Sequence, residues 1–461
     1  MPEGTGSQEG QDRLQELERH LRQRPRSAQD LMGVLGWSQP TLSRTIQRAP
    51  NRIIAFRASG DRTPKYALLR QLPLGLSPRQ TVYRITSSGA MEPFAKVSFL
   101  VGGATLEQRD SAGGSKGRTT LYEGLPPYMI FSAPSGFLGR QVAHAVAADM
   151  QLPVNLKDWG DDHRVAYLFT RGLNLAGNLV YGEASLQREM DFRAAAPTPA
   201  AEKLEHYAAM ANQLKDAAYG SSAGGEQPKF LGLAEDTGHV IVKFAKQGAR
   251  MADLLPLEHA ALRALDAVGV AAARTQLAAH GGYVFLEVQR FDRAGRHGRI
   301  GMLSCGSIDD EYFGVRDTWS EFAARCEDAG YLSAAQARDI DVMAAFSELI
   351  GNTDRHFENI SMLVDEAGEY AGVAPAYDIL PMRYASIGAG VDPDLTPITP
   401  RLGTIGARPE VWARAAKAAR SFWLAVEQGD VGLPVAQAFR ALALQNRAVV
   451  DDFVNPLLPS Q

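Results

Sequence analysis

A single lysine stands inside the run His239-Val240-Ile241-Val242-Lys243-Phe244. Its β-branched neighbours predict a strand with at least one buried face. An ammonium there is costly unless an anion pairs with it, so the fold must bring a carboxylate or a phosphate to Lys243. The bland alternative is an edge-strand lysine whose stem lies on apolar surface while its head reaches water. Glu258, in a helix expected from Leu257 to Val268, is the candidate partner. Just upstream, Ser221-Ser222-Ala223-Gly224-Gly225-Glu226-Gln227-Pro228-Lys229-Phe230 sets two adjacent glycines among polar residues. That permits a tight loop with backbone N–H groups facing an anion. With 44 glycines in the chain such loops also arise by chance, and the run lacks the ending of a Walker loop.

Two later segments extend the pattern. Gly351-Asn352-Thr353-Asp354-Arg355-His356-Phe357-Glu358-Asn359 follows an apolar helix over Val342–Ile350. Asp354 and Asn359 have the spacing of the Asp and Asn in a protein-kinase catalytic loop. A carboxylate there can meet an acceptor hydroxyl, and a nearby amide oxygen can hold a metal that bridges phosphates. Ala376-Tyr377-Asp378-Ile379-Leu380-Pro381 then places a second aspartate after an expected hairpin, where Mg²⁺ ligation between phosphates calls for one. The alternative for Asp378 is a turn residue beside Pro381. Each segment is weak alone; the ordered set of four is not.

The N-terminal part reads differently. Leu14, Leu17 and Leu21 recur at helical spacing over Asp12–Gln23, and Pro25 ends that helix. Ser27 caps a second helix with Asp30 in its first turn, Leu31, Val34 and Leu35 on its apolar face and Gly36 at its end. Ser38 caps a third, with Leu42 and Ile46 inward and Gln39, Thr41, Arg44, Gln47 and Arg48 outward. Two short strands follow, Ile53–Phe56 and Tyr66–Leu68, around a turn carrying Arg57, Arg62 and Lys65. Between Ser38 and Arg70 stand seven Lys or Arg and one acid, Asp61, in a chain of net charge −4. That local excess is the footprint of nucleic-acid contact, and the order resembles a winged helix-turn-helix. A helical docking domain with a solvated basic face is the alternative.

At 461 residues the chain exceeds one core. Its 45% hydrophobic and 22% charged content fits a soluble globular protein. Two cysteines, Cys305 and Cys326, without CxxC spacing or clustered histidines, support neither a disulfide framework nor a structural zinc site. Neither an apolar leader nor a run of uncharged apolar residues long enough to span a bilayer is visible, so a cytoplasmic setting is expected. After a Pro/Gly/Leu linker over Leu72–Pro78, strands are expected over Thr81–Ile85 and Ala95–Leu100, a glycine turn at Gly102-Gly103 and a polar loop over Ser111–Gly117. A helix follows Pro134-Ser135-Gly136-Phe137-Leu138-Gly139-Arg140.

SAGGEQPKF, VKF, QRFDR, GNTDRHFENIS and YDILP, in this order, resemble the HipA family of serine/threonine kinases, toxin halves of bacterial toxin–antitoxin pairs. The similarity runs from about Thr81 to the C-terminus, and PSGFLGR also resembles a segment of that family. The resemblance implies ATP and Mg²⁺ as cofactors. Gly224, Gly225, Glu226, Gln227 and Lys229 would form the phosphate loop, and Lys243 would meet the α and β phosphates. Gln289, Arg290 and Phe291 would form the hinge at adenine, with Asp292 near the ribose. Asp354 would be the catalytic base, with His356 and Asn359 lining the nucleotide and Asn359 and Asp378 ligating the metal. A serine before the glycine loop is autophosphorylated in that family, which shuts the enzyme down; Ser221 matches best and Ser222 is adjacent. Members act on protein substrates such as aminoacyl-tRNA synthetases. Two departures stand: there is no DFG triplet, and family members usually take DNA binding from a separate antitoxin.

The expected architecture is therefore α+β. It comprises a winged helix-turn-helix over residues 1–72 that contacts DNA, a small mostly-β subdomain over 73–194, and a bilobal protein-kinase-like domain with a helical C-lobe over 195–461. An antitoxin partner and a homodimer are compatible with it. Two other functions stay open. One is a nucleotide-responsive transcriptional regulator with an inactive kinase-like half. The other is a small-molecule phosphotransferase, for which Asp309, Asp310 and Glu311 are the one acidic run, more simply a solvated loop.

Overall fold

The computed structural model describes residues 5–110, 117–220, 227–387 and 390–459. Its secondary structure is mixed, and every pairing between the named strands is antiparallel.

The N-terminal unit contains α1 (Thr5–Leu21), β1 (Arg26–Ser27), α2 (Ala28–Leu35), α3 (Gln39–Gln47), β2 (Ile53–Phe56) and β3 (Lys65–Leu68). α1 starts well before the expected Asp12, because nothing in the polar stretch ahead of it interrupts the hydrogen-bond ladder. Leu17, Leu21, Leu31, Leu42, Ile53 and Leu68 close one small core. Ser27 and Asp30 form a capping box, and Gly36 ends α2 in the left-handed region at φ +68°. Val34 departs from expectation: it is 52% exposed, since contact with α1 and α3 covers Leu31 and stops short of it. Ser38 starts α3, but its hydroxyl bonds Thr41 Oγ1 at 2.9 Å rather than a backbone N–H.

The expected linker over Leu72–Pro78 is packed. Leu72 is buried, Pro73–Gly75 forms a 3₁₀ turn and Leu76 packs on the next core. That core belongs to a five-stranded sheet of β4 (Arg79–Ile85), β5 (Met91–Phe99), β6 (Thr105–Arg109), β7 (Arg118–Tyr122) and β8 (Leu179–Tyr181), in the order β7-β6-β5-β4-β8. Helices α4 (Pro127–Ser132), α5 (Gly136–Met150), α6 (Asp161–Arg171) and α7 (Gly182–Ala194) accompany it. Gly102 and Gly103, at φ +92° and +93°, make the expected turn before β6. Most of the loop expected over Ser111–Gly117 lies outside the described residues.

The C-terminal half opens with α8 (Lys203–Gly220), then β9 (Lys229–Ala234), β10 (Gly238–Lys246), α9 (Arg250–Asp266), β11 (Thr275–His280) and β12 (Tyr283–Gln289). These strands form one sheet in the order β11-β12-β10-β9. α9 begins at Arg250, not at Leu257, and carries Pro256 inside it. Its buried Leu254, Leu255 and Leu257 hold the helix across the proline that, read locally, would mark its start. A short hairpin, β13 (Arg293–Ala294) and β14 (Gly298–Arg299), leads to β15 (Gly301–Ser304) and the helices α10 (Cys305–Tyr312), α11 (Trp319–Asp328) and α12 (Ala334–Ile350). β16 (Ser361–Val364) and β17 (Tyr370–Val373) form the expected hairpin beside β15, and α13 (Pro409–Gln428) and α14 (Gln437–Val454) close the chain. Phe346, Trp412, Phe422 and Trp423 belong to the apolar core that carries the site loops. Among the described residues no helix is long and apolar enough to cross a membrane.

Candidate functional site

Lys243 and Glu258 meet because β10 and α9 pack face to face. The ammonium lies 2.6 and 2.8 Å from the two Glu258 carboxylate oxygens, and 2.6 Å from Asp378 Oδ1. The Lys243 and Glu258 side chains are buried, whereas that of Asp378 keeps 28% of its surface exposed. Burial works against the charged lysine, but Asp378 and Glu258 outweigh it and raise its pKa. Burial likewise opposes the Asp378 carboxylate, and Lys243 with Lys229 overcomes it, holding the group well below its ordinary range. Lys229 Nζ lies 3.9 Å from Asp378 Oδ2. Asp378 has a left-handed backbone, φ +57°, a conformation that aspartate tolerates better than most residues and that tends to occur at functional sites.

The second cluster sits on the loop after α12. Asn352 Oδ1 accepts the Asp354 N–H at 3.1 Å. Asn359 Nδ2 donates to the Asp354 carbonyl at 3.0 Å and to its Oδ2 at 3.3 Å. That arrangement spends the amide's donors on Asp354. His356 lies between two carboxylates, 3.5 Å from Asp354 Oδ1 and 3.3 Å from Glu358 Oε2. Glu358 raises the His356 pKa against the effect of burial, with Asp354 adding to it. Glu358 in turn is held down to about 2 by the His356 hydrogen bond, with burial opposing and Arg316 assisting. A cleft of about 630 Å³ opens at Asp354 and His356, between the start of α11 and the turn at Leu402–Ile405.

The remaining expected residues divide. Gln227 Nε2 donates to the Phe244 carbonyl at 2.8 Å, tying the end of its loop to β10. Ser221, Ser222, Gly224, Gly225 and Glu226 lie outside the described residues. Gln289 is exposed and bonds the Thr237 carbonyl at 3.2 Å. Phe291 packs against Tyr377 with ring centroids 5.6 Å apart and planes tilted by 37°.

Arg290 and Asp292, expected beside the nucleotide, have side chains engaged with the middle unit. Both are buried, and Asp292 accepts from Arg290 at 2.7 and 2.9 Å, Arg293 at 2.8 Å and the Gly177 N–H at 2.8 Å. Arg290 also donates to Asn174 and to the Leu175 carbonyl. A carboxylate so engaged ties this segment to the middle unit. The Asp309–Glu311 run is no acidic pocket, and no solvated loop either. It lies in α10, where buried Asp309 accepts the Val315 and Arg316 N–H groups and pairs with Arg325, while Asp310 pairs with Arg316. Arg316 also reaches Glu358 at 2.6 Å. Glu358 carried a sequence signal through the motif around it. Arg316 carried none, because only folding brings it there.

On the N-terminal unit, Gln39, Arg44, Gln47, Arg48, Arg57 and Arg62 are exposed. Thr41 is half-buried beside Ser38, and Lys65 pairs with Asp61 at 3.1 Å.

The chain matches two families, one described as the YjjJ-like toxin, middle domain over residues 76–190, the other as the HipA-like C-terminal domain over residues 221–443. With Toxin YjjJ of Escherichia coli (strain K12) it shares 32% identity over 441 residues, covering 93% of this chain and 96% of that one. The chain belongs to the HipA-like toxin family. Among solved structures, it overlays on the Shewanella oneidensis MR-1 toxin–antitoxin complex of HipA, HipB and operator DNA. That match has a TM-score of 0.46 and 15% identity, covering 82% of this chain and 100% of that one. The Helicobacter pylori proinflammatory kinase CtkA matches at a TM-score of 0.36 and 10% identity, covering 50% of this chain and 92% of that one.

Proposed function

We propose that the chain is an ATP- and Mg²⁺-dependent serine/threonine protein kinase of the toxin type, with a bilobal catalytic half and a winged helix-turn-helix over residues 1–72 that binds DNA. The observation that carries the kinase reading is the contact of Lys243 with both Glu258 and Asp378, beside the Asp354–Asn359 pair. A divalent ion of the Mg²⁺ type takes one or two protein oxygens and completes its shell with phosphates and water. Asp378 and the Asn359 amide oxygen fit that demand, and Lys243 and Lys229 are placed to neutralise phosphate charge. The bound metal and nucleotide would supply a transferable phosphoryl group with its charge screened. Asp354, lining the open cleft, is the group positioned to accept the proton of an incoming hydroxyl. Asn352 and Asn359 hold it in orientation. A protein segment fits that cleft as acceptor, and Ser221 or Ser222, upstream of β9, is the internal acceptor we propose. As a member of a toxin family the protein calls for a restraining antitoxin partner, and the exposed Arg44, Gln47 and Arg48 at the end of α3 suit operator DNA.

The test is phosphate transfer from labelled ATP with Mg²⁺, using dephosphorylated protein. We expect label on Ser221 or Ser222 in the parent. In Asp354→Asn we expect transfer to drop by about 10²- to 10⁴-fold while nucleotide binding persists. Nucleotide binding without transfer in the parent would favour a regulator with an inactive catalytic half.

A further inference from the structure

The N-terminal unit does not hang free on the middle unit. Phe56, Ala67 and Leu69 share a core with Leu100 and Leu106 of the five-stranded sheet. Leu69 bridges Leu100, and the Arg70 N–H donates to the Phe99 carbonyl at 2.8 Å. The turn between β2 and β3 is also pinned: the Ser59 N–H donates to the Thr119 carbonyl at 2.8 Å, and the Thr119 N–H to Ser59 Oγ at 3.2 Å. Held against β7, this turn is not at liberty to swing into a DNA groove, and Lys65 behind it is already paired with Asp61.

The docking leaves a groove of about 540 Å³ between α3–β2 and the sheet. Its polar lining includes Gln47 from α3, Arg79, Gln80 and Thr81 from β4, Lys96 from β5 and Gln108 from β6, and no lining residue is acidic. Thr81, Lys96 and Gln108 stand directly opposite one another across three strands, so their side chains form a row on one face. Lys96 is 68% exposed; among the described residues it pairs with Asp110, 3.8 Å away and 90% exposed, a pairing that water screens. Arg79 is fixed by a 3.0 Å bond to the Pro50 carbonyl, which sets its guanidinium at the junction. Amides, hydroxyls and cations without acids are the donor set that phosphate and sugar oxygens accept.

We infer that this groove is the second half of a duplex-DNA surface. α3 meets the duplex through Arg44 and Gln47, and the adjoining strand backbone runs along Lys96, Thr81 and Gln108, where a free wing would otherwise make contact. The proposal rests on the DNA-binding reading above and adds that the interface continues past residue 72.

The experiment uses the full chain and a fluorescent duplex, with anisotropy followed from about 50 to about 200 mM salt. The variants are Lys96→Glu, Lys96→Ala, Lys96→Arg and Arg44→Ala. Lys96 is an exposed strand residue, so these changes leave the fold intact. We expect Lys96→Glu to weaken binding about tenfold at the lower salt, Lys96→Ala to reduce the salt slope by about 0.9, and Lys96→Arg to restore both. If Arg44→Ala weakens binding while the Lys96 variants match the parent in affinity and slope, the groove is not part of the interface and the DNA reading survives. If the parent shows no salt-dependent binding to duplex, both readings fall.

Discussion

His356 sits half-exposed between Asp354 and Glu358, so its charge state is set by two neighbouring carboxylates. Its folded pKa is raised, and the sign of the pH effect follows from that. Stabilisation from the charged imidazole is complete below its ordinary value of about 6.5 and fades as pH rises through the raised folded value. We therefore expect the urea midpoint of His356→Gln to fall below the parent's at about pH 5.5 and to approach it at about pH 8.5. A gap that stays constant over this range would show that the ring is held by packing alone. At this scale the need of Lys243 for an anionic partner was legible in sequence, because an ammonium among β-branched residues is costly to bury. Asp354, Asn359 and Asp378 stood out only through the order of the segments that carry them. Arg316 was not legible, because its two carboxylate partners lie in separate segments.

The link between α9 and the sheet is a short charged bond in an apolar setting. Glu258 is 1% exposed and its described hydrogen bonds come from Lys243. Lys243→Met strands that carboxylate, and removing one member of a buried pair typically costs about 3–5 kcal/mol. We expect urea denaturation to report a loss of that order, and Lys243→Met with Glu258→Gln together to recover part of it. Equal losses in single and double variants would mean that the pair contributes through packing. Element boundaries were less legible than element order. α9 runs through Pro256 because contacts on its buried face hold it, and α1 starts before its apolar pattern does because the polar stretch ahead of Asp12 does not break the hydrogen-bond ladder.

Across the whole molecule the decisive contacts join units distant in the chain. Asp292 gathers Arg290, Arg293 and the Gly177 N–H, and Glu189 of α7 pairs with Arg299. These buried charges weld the segment after β12 to the middle unit. Asp292→Asn leaves buried guanidinium groups short of a counter-charge, so we expect a loss of about 3 kcal/mol or more. The variant should melt lower than the parent, with the segment after β12 cleaved earlier in limited proteolysis; a melt and a cleavage pattern identical to the parent's would refute the weld. By itself the sequence determined the order of the elements and the chemical inventory of the site, since strand and helix periods and the need to pair a buried charge act within a few residues. Only the tertiary structure decided what the charges meet. It joined Arg290 and Asp292 to Asn174, Leu175 and Gly177 and buried Asp309 within α10. It also pinned the β2–β3 turn against β7, because these partners lie far away along the chain and no local pattern encodes them.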